Sequence, residues 1–305
     1  MTKTATGLMP ILATPFDSSG ALDRPSFRRL LEFELESGVD GVAVFGMASE
    51  GFALRTDERR IILDDVRDVV GGAVPVIAGV NATSTVGAIE QAREAVEGGA
   101  DVLMVLPPYM VKPAPASLVD FYGQVAASTP AHIMVQDAPG ATGVAMSPAL
   151  IAELSRIDGV ESVKVEAPPT APKVGAVIDA LDSNDFAIIG GQNALFCLEE
   201  YARGAIGTMP ACEFPDLLKP ILDDWRIADL AAARDGFQRL LPLILLGLQP
   251  GIAWSVHKEV LVARGIIAHA AVRYPAVDVD AGTRIAIRVV LDELGLRAGA
   301  VRARA

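Results

Sequence analysis

The segment PVIAGVNATSTVGAIEQAREAVEGGADVLMVL, residues 75–106, contains the pattern that recurs along this chain. An apolar run, residues 75–80, precedes an amphipathic stretch over residues 84–97, and a second apolar run follows at residues 101–106. Both runs are short, rich in Val, Ile and Ala, and apolar throughout rather than alternating, which is typical of parallel strands buried on both faces. The segment therefore predicts a strand–helix–strand unit of a parallel sheet.

The same alternation continues along most of the chain. A helical pattern follows each of the strand-like runs at residues 8–16, 41–45, 75–80, 101–106, 132–137, 161–166, 186–189 and 205–209. Eight successive strand–helix units within residues 1–229 predict an α/β fold, a (β/α)8 TIM barrel. A doubly wound open sheet is the alternative, although no G-x-G-x-x-G motif follows the first strand.

After residue 229 the strand pattern stops. Three further helical patterns occupy residues 230–249, 252–264 and 282–296. Apolar side chains in these helices, such as Trp254, need a surface that covers them. We therefore predict a barrel over residues 1–229 and a C-terminal three-helix extension over residues 230–305 that packs on it. The end of the extension, residues 297–305, is expected to fray.

The composition restricts the class of protein. The chain has 305 residues, of which 51% are hydrophobic and 21% charged, so it can bury a large core. Its net charge of -12 disfavours nucleic acid and anionic membranes as partners. The first residues lack the apolar core of a signal peptide, no apolar stretch is long enough for a bilayer, and two cysteines cannot form a disulfide framework. We therefore expect a cytoplasmic protein.

The histidines do not indicate a metal site. His132, His257 and His269 are widely spaced, and no metal-binding pattern links them. We therefore expect neither a metal ion nor another cofactor, and this disfavours the metal-dependent aldolases.

Lys164 is the first candidate for chemistry. It stands in the strand-like run GVESVKVE, residues 159–166, near the C-terminal end of the sixth predicted strand. Barrel enzymes have their active sites at that end of the strands. Burial disfavours the charged form of an amine, and a neutral lysine amine attacks a carbonyl to form a Schiff base. The alternative interpretation is a frayed strand end whose ammonium group reaches water.

Motifs at other strand ends extend this interpretation. ATPF at residues 13–16, GMASE at residues 46–50, PGATG at residues 139–143 and Lys164 follow one another in order, and Gln136 precedes Lys164 by 28 residues. In this order and spacing the chain resembles the dihydrodipicolinate synthase / N-acetylneuraminate lyase family of class I pyruvate-type aldolases. The resemblance covers essentially the whole chain, including the trailing helices.

The resemblance implies a mechanism and an assembly. The lysine would condense with the ketone of pyruvate or a related 2-oxo acid. The iminium would then act as an electron sink, so that a neighbouring C–C or C–O bond forms or breaks. Members of the family assemble into dimers and tetramers, which implies a homo-oligomer of two or four chains here.

The resemblance also implies substrate-binding residues. The turn that contains Met47, Ala48 and Ser49 would offer backbone N–H groups to the substrate carboxylate. Tyr109 matches a tyrosine of the family's fourth-strand motif. Gly191 would let the backbone approach the substrate closely.

The sequence departs from the family at the expected proton relay. Members usually carry a tyrosine where this chain has Gln136, and an amide can hydrogen-bond but cannot exchange a proton. Because side chains alternate along a strand, Glu166 shares the interior face with Lys164 and is a candidate acid or base. Its alternative is a solvated carboxylate at a strand end. Asp137 is a second candidate, whose alternative is a carboxylate that fixes the loop.

Three functions fit these residues. The first is a Schiff-base lyase, either an aldolase or a dehydratase, in which Lys164, Gln136 and Glu166 form the catalytic group. The second is a 2-oxo acid binding or sensing protein with little turnover, and the third is another chemistry on the same fold. Dihydrodipicolinate synthesis itself is not expected, because Ala141 replaces the arginine that binds a substrate carboxylate in those synthases.

Overall fold

The computed structural model describes residues 5–183 and 185–296. Its strands are β1 Gly7–Leu8, β2 Val42–Val44, β3 Val76–Val80, β4 Val102–Val105, β5 His132–Asp137, β6 Val160–Val165, β7 Ala187–Gly190 and β8 Gly207–Thr208. Its helices are α1 Arg24–Glu36, α2 Thr56–Val70, α3 Thr85–Glu97, α4 Pro115–Ala127, α5 Pro139–Thr142, α6 Pro148–Leu154, α7 Thr170–Ala180, α8 Cys197–Tyr201, α9 Pro215–Arg226, α10 Leu230–Leu246, α11 Ala253–Ala263 and α12 Ala281–Glu293. Single 3₁₀ turns occupy Gly51–Ala53 and Gln192–Ala194.

The strands form one parallel sheet in which neighbours in sequence are neighbours in space. Each strand from β2 to β8 pairs with the next, and β8 pairs with β1. Ile11 bridges Ala43 on one side and Ala211 on the other, which closes the sheet. The prediction of a (β/α)8 barrel is confirmed. A doubly wound sheet would require a reversal of strand order, and this order has none.

The first strand is shorter than predicted. Residues 8–16 were expected to form it, but only Gly7–Leu8 pairs as a regular strand, followed by the bridge at Ile11. Pro10 and Pro210 lack the N–H that a regular ladder needs at these positions. The chain nevertheless stays in the barrel wall, because Ile11 N–H donates to the Pro210 carbonyl at 2.8 Å.

Apolar side chains fill the barrel interior below the strand ends. This inner layer comprises Met9, Ile11, Ala43, Ile77, Val102, Met104, Met134, Ala187, Ile189 and Met209, all buried. A larger apolar cluster packs between the strands and the surrounding helices. The barrel is therefore a packed core rather than a pore.

Helices α10 to α12 follow the barrel, as predicted. The side chains of Val256, Val260 and Leu261 on α11 are fully buried, so this helix packs against the rest of the protein. The boundary between a barrel and a C-terminal extension stays a prediction, and the predicted fraying of residues 297–305 lies outside the described residues. None of the described helices has the length and apolar character needed to cross a membrane.

A buried charge network ties the C-terminal helices to the barrel. Lys258 on α11 forms an ion pair with Glu50 at the end of the turn after β2, and both side chains are at most 1% exposed. Lys258 Nζ also donates to the Ala271 carbonyl at 2.7 Å. The Arg273 guanidinium binds Glu58 of α2 through two nitrogens at 2.6 and 2.7 Å, and its backbone N–H donates to Glu50 at 2.8 Å.

Removing the cation of this network should destabilise the protein strongly. In Lys258→Ala the Glu50 carboxylate stays buried without its ion-pair partner, so we expect a loss of about 3–5 kcal/mol in the free energy of unfolding. Lys219→Ala is the matched control, because it removes a partly exposed pair with Asp223 one helical turn away and should cost about 0.5 kcal/mol. Urea unfolding measures both values, and equal losses would contradict the prediction.

Candidate active site

A cavity of about 180 Å³ opens at the C-terminal end of the barrel. Its wall combines strand ends with residues of the C-terminal helices, namely Ile11, Met47, Ala48, Lys164, Glu166, Gln192, Asn193, Met209, Pro210, Ala211, Gly247, Leu248, Ala253, Trp254 and His257. The described residues contain no group of three or more His, Cys, Asp or Glu side chains placed to hold a metal ion. The polar atoms available to a ligand are therefore amines, carboxylates, amides and an imidazole.

Lys164 is the buried amine of this cavity. It lies on β6 opposite Gln136 of β5 and Ile189 of β7. The side chain is only 1% exposed, so the alternative of an ammonium group that reaches bulk water does not hold in this structure. Its Nζ lies 3.4 Å from Oε1 of Glu166, and no other described residue pairs with it.

Glu166 connects the lysine to Gln136. Gln136 Nε2 donates to Glu166 Oε2 at 2.7 Å, while the other carboxylate oxygen faces Lys164. The Glu166 side chain is 11% exposed, so it is not a freely solvated strand-end carboxylate. The Gln136 amide oxygen is buried and has no hydrogen-bond partner among the described residues. The structure thus brings the three predicted catalytic residues into one cluster.

Gly191 makes room for the Glu166 side chain. A Cβ at position 191 would lie 2.4 Å from Cγ and 2.9 Å from Cδ of Glu166. Gln192 then secures the Glu166 backbone, because its Nε2 donates to the Glu166 carbonyl at 2.7 Å. The close approach predicted at Gly191 is therefore between its backbone and the Glu166 side chain, not between its backbone and a substrate.

The turn after β2 presents two unpaired backbone donors. Ser49 N–H donates to Gly46 and Glu50 N–H to Met47, whereas the N–H groups of Met47 and Ala48 have no acceptor among the described residues. Trp254 Nε1 donates to the Met47 carbonyl at 2.6 Å and holds the turn from outside. Two adjacent free N–H groups at a cavity wall can cradle a carboxylate.

Backbone strain shapes this turn. Phe45 and Glu50, which flank it, both have left-handed backbone conformations, with φ of 62° and 53°. Asn81 Nδ2 donates to the Phe45 carbonyl at 2.7 Å, and the Tyr109 hydroxyl reaches the Asn81 carbonyl at 3.5 Å. Such strain persists only where the surroundings enforce it, and it is frequent at binding sites.

Three other residues considered from the sequence lie outside the cavity wall. Tyr109 stands behind Asn81, and Ser49 is buried with its carbonyl bound to Thr14. Asp137 points away from Gln136 and pairs with Lys173 of α7 at 2.5 Å. Burial raises the pKa of Asp137 above its ordinary value, although the pair with Lys173 opposes this shift. Asp137 thus pairs with a helix of the outer layer, whereas its alternative interpretation was an N-cap or a carboxylate that fixes the loop.

The sequence interpretation missed the contribution of α11. Trp254 and His257 reach the cavity from a helix that follows the barrel in sequence. His257 Nδ1 lies 2.7 Å from Oε1 of Glu213, whose carboxylate is fully buried. The available signal was a lone histidine in an apolar helix, which had been considered only as a metal ligand.

Comparison with known proteins identifies the family of this chain. The model of the dihydrodipicolinate synthetase family matches residues 4–294 of the chain. The chain belongs to this family. It is therefore a class I lyase of the family's barrel type, and the predicted resemblance is confirmed.

Relatives within the family have different activities. An L-2-keto-3-deoxyarabonate dehydratase of Azospirillum brasilense is 33% identical over 303 residues, which cover 95% of this chain and 96% of that protein. A 4-hydroxy-tetrahydrodipicolinate synthase of Methylococcus capsulatus is 31% identical over 95% of this chain and 99% of its own length. The family thus includes both dehydratases and synthases at similar distances from this chain.

Solved structures share the fold over nearly the whole chain. A dihydrodipicolinate synthase of Rhodopseudomonas palustris superposes with a TM-score of 0.89 at 27% identity, covering 96% of this chain and 100% of that one. The Escherichia coli K12 prophage protein YagE, solved in complex with pyruvate, gives a TM-score of 0.88 at 26% identity, covering 95% of this chain and 99% of that one.

The packing of Gly191 against Glu166 yields a prediction. In Gly191→Ala the new methyl group must displace the Glu166 carboxylate from Lys164, so we expect lyase turnover to fall on the order of 10²-fold. Thermal unfolding should change little, because a flexible side chain can move aside. Gly123→Ala is the control, since a Cβ there meets nothing within 4 Å. Full turnover in Gly191→Ala would show that the position of Glu166 does not matter.

Proposed function

We propose that this protein is a Schiff-base-forming dehydratase that acts on a 2-oxo acid through Lys164. The observation that carries the proposal is the Glu166 carboxylate, 3.4 Å from the buried amine. At that position it can hold a proton beside the imine nitrogen and the carbon next to it. Gln136 orients the carboxylate by a hydrogen bond and does not itself exchange a proton.

The proposed substrate pose follows from the free polar atoms. The carboxylate of the 2-oxo acid binds the backbone N–H groups of Met47 and Ala48, and its ketone carbon faces Lys164 Nζ. Gly191 acts by leaving space for Glu166. Ser49 and Tyr109 act on the turn rather than on the ligand, and we propose a supporting role for both.

Dehydration fits this arrangement better than aldol cleavage. The amine attacks the ketone, water leaves, and an iminium forms at C2. Glu166 then removes a proton from C3, and the C–H electron pair forms the enamine. A hydroxyl group at C4 can leave from the enamine as water. The 2-keto-3-deoxy acid in the name of the Azospirillum relative has this pattern, with a CH₂ group at C3 and a hydroxyl at C4.

Covalent trapping tests the first step. Incubation with pyruvate and borohydride should reduce the iminium to a stable secondary amine on Lys164, detected by mass spectrometry of peptides. Lys164→Ala should abolish the adduct. Lys258 is the internal control, because it is equally buried but already paired with Glu50. An adduct on Lys258, or none with any 2-oxo acid, would overturn the proposal.

Substitution of Glu166 tests the second step. Glu166→Gln keeps the hydrogen-bonding shape but removes the base, so we expect turnover of a 2-keto-3-deoxy acid to fall about 10²–10⁴-fold. Exchange of the pyruvate methyl protons for deuterium, followed by NMR, should fall with it, while borohydride trapping persists. If the variant is as active as the wild type, Glu166 is not the base. If the wild type traps 2-oxo acids but turns none over, a binding or sensing protein is the better description.

We also propose a homo-oligomer of two or four chains. Met110 and Val111, in the loop after β4, are 77% and 79% exposed, which is unusual for adjacent apolar side chains. Burial of this pair between chains would explain it. Val111→Glu should lower the mass measured by light scattering at micromolar concentration, whereas Val86→Glu, at a valine that is 69% exposed on α3, should not. A monomeric wild type would contradict the proposal.

The proposed compartment is the cytoplasm. Cys197 and Cys212 are buried free thiols. Burial raises the pKa of the Cys212 thiol well above its ordinary value, so that it stays protonated and unreactive. Unpaired thiols of this kind are the rule in reducing compartments.

A further inference from the structure

His257 and Glu213 form a second proton-carrying group at the cavity. The imidazole lines the cavity that contains Lys164, although it belongs to α11 and not to a barrel strand. Its Nδ1 lies 2.7 Å from Oε1 of Glu213. A carboxylate can only accept here, so Nδ1 carries the hydrogen and Nε2 is the atom left for a ligand. Nε2 has no partner among the described residues.

We propose that His257 is the catalytic acid that protonates the departing C4 hydroxyl, and that Glu213 is the residue that positions it. This inference rests on the proposed dehydratase function. It assigns the two proton transfers of the reaction to two different groups, with Glu166 at C3 and His257 at C4.

His257 and Glu166 line the same cavity, next to two neighbouring residues of one turn. Glu166 borders Gln192, and Asn193 comes next along the cavity wall. Two hydrogen bonds hold the Asn193 side chain. Its Nδ2 donates to the Ile244 carbonyl at 3.3 Å, and its Oδ1 accepts from the Ala211 N–H at 2.9 Å. His257 lies beside Asn193, since a Cβ on Gly247 would approach both, at 2.6 Å from His257 Cε1 and 2.9 Å from Asn193 Nδ2.

The groups around Glu213 determine which of them binds its carboxylate. Arg264 donates to the Glu213 backbone carbonyl, but its other nitrogen pairs with Asp216 at 2.6 Å. Glu34 of α1 is fully buried and unpartnered, and burial together with the Glu213 charge raises its pKa well above the ordinary value. Among the described residues, the His257 ring is the side chain bonded to the Glu213 carboxylate. In the proposed acid form the ring carries a hydrogen on Nε2 as well, while Nδ1 donates to Glu213.

The elimination balances with these two groups. Glu166 takes the C3 proton, and the C–H electron pair flows toward the iminium nitrogen to form the enamine. The enamine pair then forms the C3–C4 double bond as the C4–O bond breaks. The oxygen keeps that bonding pair and receives the proton from His257 Nε2, so it departs as water. Glu166 releases its proton to solvent, His257 regains one from solvent, and hydrolysis of the iminium restores Lys164.

Substitution of His257 should impair the elimination and spare the earlier steps. In His257→Asn, the amide N–H group can still donate to Glu213. The amide has no counterpart of the acidic Nε2 group, so it cannot deliver a proton to the leaving oxygen. Turnover of a 2-keto-3-deoxy acid should fall about 10²–10⁴-fold. Borohydride trapping and deuterium exchange of the pyruvate methyl group should stay near wild-type values, since neither involves a leaving group.

A matched pair elsewhere in the chain supplies the control. His132 Nδ1 lies 2.5 Å from Oε1 of Glu161, at the start of β5 and β6 and away from the cavity. His132→Asn should leave turnover unchanged.

Glu213→Gln removes the charge but keeps an acceptor, so it should lower kcat more than it raises KM. A variant that fails to fold is recognised by its thermal unfolding, and Gly247→Ala then serves instead, because it displaces the ring without altering it.

A fluoride leaving group separates acid catalysis from a structural role. Fluoride departs without a full proton transfer, so a C4-fluoro analogue should be turned over by His257→Asn at nearly the wild-type rate. An equal loss on the hydroxyl and fluoro substrates would overturn the inference, as would full activity of His257→Asn on the hydroxyl substrate. Failure of the wild type to trap pyruvate or exchange its protons would instead overturn the proposed function, so the two failures are distinguishable.

Discussion

A buried amine must be neutral or paired, and the two fully buried lysines among the described residues, Lys164 and Lys258, meet that constraint in opposite ways. Lys258 has a carboxylate, a backbone carbonyl and the face of Phe16 around it, so its partners are complete. Lys164 has only Glu166, at 3.4 Å, and a cavity beside it. Removing a buried charge from its partners is costly. An incompletely paired lysine beside a cavity is therefore expected to be functional, whereas Lys258 is structural.

Lys258 nevertheless contributes to the cavity that contains Lys164. Lys258 and Arg273 both bind Glu50, at the end of the turn whose residues Met47 and Ala48 line the cavity. Trp254, on the same helix as Lys258, binds the carbonyl of Met47 in that turn. The C-terminal helices therefore complete the site in two ways, by fixing the strained turn after β2 and by adding His257 to the wall. A barrel without these helices would lack both the support of the turn after β2 and the His257 side chain.

Much of the architecture was predictable because its causes are local. Short, uniformly apolar runs indicate strands covered on both faces, and their regular alternation with amphipathic stretches leaves few arrangements besides a barrel. The first strand was predicted too long because its apolar residues suit the barrel wall, while Pro10 and Pro210 interrupt its ladder. The cluster of Lys164, Gln136 and Glu166 also followed from the sequence, since alternation along β6 and the register with β5 place them on one face.

The barrel, the helices after it, the family and the candidate lysine could be predicted from the sequence, because strand periodicity and motif order are properties of neighbouring residues. The contacts between polar atoms became visible only in the folded protein. Ser49 and Tyr109 lie outside the cavity wall because Ser49 is buried in the turn after β2 and the Tyr109 hydroxyl reaches the Asn81 carbonyl. His257 enters from a helix more than 90 residues beyond Lys164 in the chain, and its pairing with Glu213 depends on how that helix packs. Long-range packing has no local signature, so a histidine in an apolar helix acquires its role only once the chain is folded.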